Sequence, residues 1–217
     1  MKSLVFATLA TFALVVPAAA QPAGDLYPDL PMASETPIRG VVPGVGPTPG
    51  YILEVISTRA KCSQDAIRAA DGLMAPQDAV RTCNQAIMAS GAQGSDLAGT
   101  LVNRGVLLMT MLQPEDAKRD FERALQLDPE AAEALANRGA MKISEGRQAD
   151  GVADLTRAIE LGTERPERAY YNRALGREDL GDVRGAYEDY RMAQLLNPSW
   201  DAPATQLARF QVRRAAR

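Results

Sequence analysis

From residue 98 onward the apolar positions of the chain fall into blocks with helical spacing. Ala117, Phe121 and Ala124 lie four and then three residues apart, as one face of a helix requires. The same small–large–small face returns as Gly151, Leu155 and Ala158, and again as Ala186, Tyr190 and Ala193. Upstream of each block stands a second recurring group: Asn103-Arg104-Gly105, then Asn137-Arg138-Gly139, then Asn172-Arg173-Ala174. The offsets between copies are 34 and then 35 residues. A period of that length predicts a solenoid of helix–turn–helix units.

The residue types say how such units pack. Gly105, Gly139 and Ala174 are small in mid-helix, which lowers helix propensity but lets a neighbouring helix come close. Ala117, Gly151 and Ala186 do the same on the second helix, and Phe121, Leu155 and Tyr190 fill the space between. Gly146 and Gly181 are expected to end first helices in a left-handed conformation. Pro129 and Pro198 close second helices, because proline cannot continue them.

This succession of small, small, large and small residues closed by Pro resembles the tetratricopeptide-repeat (TPR) family over about residues 98–200. The resemblance implies an all-α fold: a right-handed superhelical solenoid of antiparallel helix pairs, with repeats at 98–131, 132–166 and 167–200. Leu101, Leu135 and Tyr170 stand where the family carries a large aromatic. Thr163 replaces the closing Pro, and one residue is inserted between Ile159 and Tyr171. A degenerate pair is expected over 51–97, since Ala79, Cys83 and Ala86 precede Ala117, Phe121 and Ala124 by 38 residues. The extra length falls in the polar segment Ser90 to Ser95. Residues 202–217 read as a capping helix, with Leu207, Phe210 and Val212 on one side and arginines outward. A basic amphipathic segment touching a membrane or an acidic partner is the alternative.

The ends bring in location. Lys2, the apolar run Leu4 to Val16, Pro17 and Ala18-Ala19-Ala20 read as a signal peptide over 1–20, cut before Gln21, with an uncleaved anchor as the alternative. Residues 21–50 are rich in Pro and Gly and are expected to form an extended leader. That leader reads as a spacer, with a partner-binding Pro-rich arm as the alternative. No other apolar run is long enough for a transmembrane segment. The expected location is therefore periplasmic or secreted, in a bacterium. In an exported chain the two cysteines favour a bridge, and Cys62 and Cys83 would lie on the two helices of the degenerate pair. Two buried free thiols are the alternative.

Chemistry narrows what is left. The net charge is −3 without a clustered basic surface, so no nucleic acid is expected. The chain has no histidine, no phosphate-binding loop and no metal-ligand spacing, so no enzyme activity, metal or cofactor is expected. Arg104, Arg138 and Arg173 are each followed by an acid, Asp120, Asp154 and Asp189, at one fixed distance across a helix pair. That spacing predicts structural ion pairs. In the degenerate copy the equivalent places hold Ala66 and Thr82. The resemblance implies that first helices line a concave groove. Asn103, Val106 and Met109, then Asn137 and Ala140, then Arg168, Tyr171, Asn172 and Leu175 would face it. Such asparagines would hydrogen-bond the backbone of an extended peptide, or else serve only to bridge repeats. Lys and Arg are not placed to form a carboxylate clamp. The expected function is a protein–protein interaction scaffold or adaptor of the cell envelope, with a self-associating structural module as the alternative.

Overall fold

The computed structural model describes residues 49–70, 72–89 and 94–210. The expected signal segment, nearly all of the Pro/Gly-rich leader and residues 211–217 lie outside them. Among the described residues every regular element is a helix. Four antiparallel pairs follow one another: α1 (Pro49–Ala70) with α2 (Pro76–Met88), α3 (Gly94–Thr110) with α4 (Pro114–Leu127), α5 (Ala132–Ser144) with α6 (Gln148–Glu160), and α7 (Pro166–Asp179) with α8 (Val183–Leu196). A short α9 (Asp201–Leu207) closes the series. The fold is an all-α solenoid of helix pairs.

Local chemistry sets the boundaries. Proline opens α2, α4 and α7, where its missing N–H is not needed. Asp182 caps α8 by accepting the Gly185 amide at 2.9 Å. Gly146 and Gly181 have φ of 80° and 81° and turn the chain out of α5 and α7. The residue after each returns its amide to the helix, Arg147 to the Lys142 carbonyl and Asp182 to the Arg177 carbonyl, both at 2.8 Å. The α3–α4 turn has the same hydrogen bond from Gln113 to the Leu108 carbonyl at 2.9 Å. There, however, the left-handed position is held by Leu112, at φ 57°.

Two boundaries differ from the sequence reading. Helix α1 starts at Pro49, two residues inside the expected leader, again with proline at a helix start. Within the described part of the C-terminal segment the helix runs to Leu207 and the chain then tightens, Arg209 bonding the Gln206 carbonyl and Phe210 that of Leu207. That turn swings Phe210 back onto Tyr187 and Tyr190, with ring centroids 5.6 and 6.0 Å apart. The end of the solenoid is thus covered by one short helix and a folded-back aromatic.

Close packing within pairs follows the small residues. A Cβ on Gly105 would lie 2.6 Å from the Phe121 ring, and one on Gly139 would lie 2.8 Å from Leu155 Cγ and 3.0 Å from the Gly151 carbonyl. Between pairs the helices are not equivalent. First helices touch first helices, α1 on α3, α3 on α5 and α5 on α7, whereas α2, α4 and α6 pack against the first helices beside them. The stack is therefore tighter along the first helices, which makes them the inner wall.

Candidate partner-binding surfaces

The arginine row is built into the pairs. Arg104 donates from Nε and Nη2 to the two carboxylate oxygens of Asp120 at 2.8 and 2.6 Å. Arg138 meets Asp154 in the same fork at 2.7 and 2.9 Å, and Arg173 meets Asp189 at 2.8 Å twice. Each pair spans 16 residues, which sets one first-helix turn against one second-helix turn. The geometry is bidentate, the strongest arrangement for these groups. The hydrogen bond to Asp120, and its charge, hold the Arg104 pKa above the usual arginine value against the opposing effect of burial.

Two of the arginines also reach backward. Arg104 Nη1 donates to Asn84 of α2 at 2.7 Å, and Arg173 Nη1 to Thr156 of α6 at 3.2 Å. Arg104 therefore joins α2, α3 and α4, and Arg173 joins α6, α7 and α8. Asp154 and Asp189 each take a second cation from one turn further along the first helix. Lys142 Nζ lies 2.8 Å from Asp154, and Arg177 Nη1 lies 3.0 Å from Asp189.

The first pair solves the same problem with other residues. Thr82 donates to Asp65 Oδ2 at 2.9 Å, and both are buried. The acid has moved to the first helix and the spacing is 17, so the arginine pattern gave no sign of it. Cys62 and Cys83 form a disulfide there, with an S–S distance of 2.08 Å, and neither is exposed.

The asparagine row is where the structure departs most from expectation. Asn103, Asn137 and Asn172 are 5 %, 0 % and 0 % exposed. Val106, Ala140 and Tyr171 are buried too, so these six do not line an open groove. Small residues let the neighbouring helices close over the row on α5 and α7. Ala136 and Ala140 are small, and Gly176 admits Ile143 and Val152 against the backbone of α7. Asn137 Nδ2 donates within its own helix to the Glu133 carbonyl at 2.9 Å. Asn103 Oδ1 is buried, with no hydrogen-bond donor among the described residues. At the C-terminal end Tyr171 packs on Trp200 at 4.8 Å and on Tyr190 at 5.6 Å, and Arg168 lies 6.0 Å over the Trp200 ring. Burial, with Arg165 nearby, lowers the Arg168 pKa from its ordinary value. Trp200 lies in the α8–α9 connection, so no repeat comparison could assign it to this wall. Of the expected lining, Met109, Arg168 and Leu175 stay half-open.

Burial raises the Tyr190 phenol far above the ordinary tyrosine range, helped by Glu178, whose Oε2 accepts its hydroxyl at 3.1 Å. Among the described residues no helix is long and apolar enough to cross a membrane.

Residues 98–130 match the model of the tetratricopeptide repeat. No curated protein matches the chain by sequence. Among solved structures, PilF of Pseudomonas aeruginosa is similar over 71 % of this chain and 68 % of its own, at 18 % identity and a TM-score of 0.60. PilW, a type IV pilus biogenesis factor, is similar over 70 % and 68 %, at 17 % identity and 0.59. YrrB, a TPR protein with an unusual peptide-binding site, is similar over 72 % and 79 %, at 20 % identity and 0.50.

Proposed function

We propose that this chain, a stack of tetratricopeptide repeats, is an interaction scaffold of the bacterial cell envelope that holds an extended segment of a protein partner along its inner wall. The half-open Met109, Arg168 and Leu175 on the first helices carry the reading. Met109 gives an apolar contact on α3. Leu175 and Arg168 give the next contacts on α7. Peptide binding by YrrB, a protein of the same fold, makes the mode familiar. Export is supported by the signal-like segment at 1–20 and by the Cys62–Cys83 disulfide.

Met109→Glu and Leu175→Glu, at half-open positions, separate binding from folding. Each leaves the fully buried core in place, so the chain should keep its helices, while capture of the partner from a periplasmic extract falls. An unchanged set of captured proteins, with intact helical circular dichroism, would falsify the assignment.

Self-association is a second reading favoured by one observation. Met192, Leu195 and Leu196 on α8 are 37 %, 72 % and 46 % exposed. Arg123 and Gln126 on α4, then Arg157 and Glu160 on α6, occupy the places of the first two in the earlier repeats. Sedimentation of the purified chain decides it, and a monomer at all concentrations removes this reading.

A further inference from the structure

The three arginine–aspartate sites differ in the second cation on the acid. Asp154 has Arg138 and Lys142, and Asp189 has Arg173 and Arg177. Asp120 has Arg104, but the residue in the register of Lys142 and Arg177 is Leu108. Among the described residues no second cation reaches Asp120. Where that cation would lie, the surface opens into a cleft of about 480 Å³ between α2, α3 and α4. Val80, Leu101 and Leu108 supply its apolar lining, and buried Asp120 borders it together with Arg104, Asp116, Arg119 and Arg123.

We propose that this cleft receives a lysine or arginine side chain of a protein partner, its aliphatic stem against Leu101 and Leu108 and its charge on Asp120. The molecule itself shows the chemistry that fills this space, once with an ammonium and once with a guanidinium. Two leucines beside a carboxylate suit a long side chain with a terminal cation. Of the three arginines in the lining, Arg104 is matched by Asp120 and Arg119 by Asp116, while Arg123 keeps its charge, Nη1 donating to the neutral Gln126 at 3.0 Å. Arg157, the counterpart of Arg123 in the second repeat, accompanies Lys142 and is itself paired with Glu130 and Glu160. None of the cleft residues belongs to the asparagine wall, so this site stands or falls separately from the peptide-binding reading.

The test uses the full chain and two small probes at constant ionic strength, n-butylguanidinium chloride and sodium butyrate, followed by methyl NMR. The guanidinium should move the Leu101 and Leu108 methyl signals in a saturable way, and butyrate should leave them in place. Leu108→Lys supplies its own ammonium to Asp120 and should abolish the response while the fold is kept. Asp120→Asn should weaken it about tenfold, the equivalent of 1.4 kcal/mol. If Asp120→Asn does not fold, the Leu108→Lys comparison still decides. Movement with butyrate, no movement with either probe, or an unchanged response in Leu108→Lys overturns the proposal.

Discussion

Replacing Asp189 with Leu would leave the guanidiniums of Arg173 and Arg177 side by side with their shared acid gone. Asp189 is 3 % and Arg173 8 % exposed, so water cannot readily substitute. Removing one partner of a buried pair costs about 3–5 kcal/mol. Asp189→Leu should fall in that range, because buried Arg173 is left with Thr156, and Arg177 with the Gly185 carbonyl at 3.4 Å and Asp182 at 3.8 Å. Arg173→Met strands less. Asp189 keeps Arg177 at 3.0 Å, and Thr156 is half-buried and can turn to water. The loss is then mainly the net value of the hydrogen bonds to a charged group, about 2–3 kcal/mol. The double change puts two apolar side chains where Arg173 and Asp189 were but still leaves Arg177 without that acid, so it should cost no more than Asp189→Leu alone. The coupling from the double-mutant cycle should therefore reach about 2 kcal/mol. Urea unfolding with the disulfide intact gives the stabilities, and hydrogen exchange in α7 and α8 shows whether the loss is local to that pair. A coupling below about 0.5 kcal/mol, or a larger loss for Arg173→Met than for Asp189→Leu, refutes the account of the pair.

Leu112→Gly should stabilise the chain by about 1 kcal/mol, since a left-handed residue with a Cβ costs roughly 1–2 kcal/mol and the side chain, 83 % exposed, loses little packing. Thermal melting checks this, and a lower melting temperature refutes the strain. Replacing Cys62 and Cys83 together with Ala should cost about 3 kcal/mol by the chain-entropy estimate for a loop of this length. The effect should be confined to one end: exchange protection falls in α1 and α2 and holds in α7 and α8. A uniform loss along the array would mean that the bridge supports more than its own pair.

Periodicity made the helix pairs legible because each pair repeats the same close approach. Gly105 under Phe121 and Gly139 under Leu155 are one contact written twice. The arginine–aspartate spacing was legible for the same reason, since an antiparallel pair fixes which turns face each other. The Asp65–Thr82 bond was not, because acid and donor exchange helices and the register shifts by one. The asparagine wall was misjudged for a different reason. Helical spacing tells which side of α5 holds Asn137, but not how near α7 comes, and that depends on Ala136, Ala140 and Gly176 together. Leu112 could not be foreseen as left-handed, since the places of Gly146 and Gly181 show what a turn prefers, not what it tolerates.

Because Arg104 grips Asn84 behind it and Asp120 ahead of it, and Arg173 likewise grips Thr156 and Asp189, the building block of this array is offset from the repeat. Cutting the chain at residue 98 or 167 would sever one grip of each arginine and leave it half-anchored at the new edge. A block that carries its own fastening runs from the middle of one second helix to the middle of the next. Anyone lengthening or shuffling the array should splice inside α2, α4, α6 or α8, leaving the connecting loops whole.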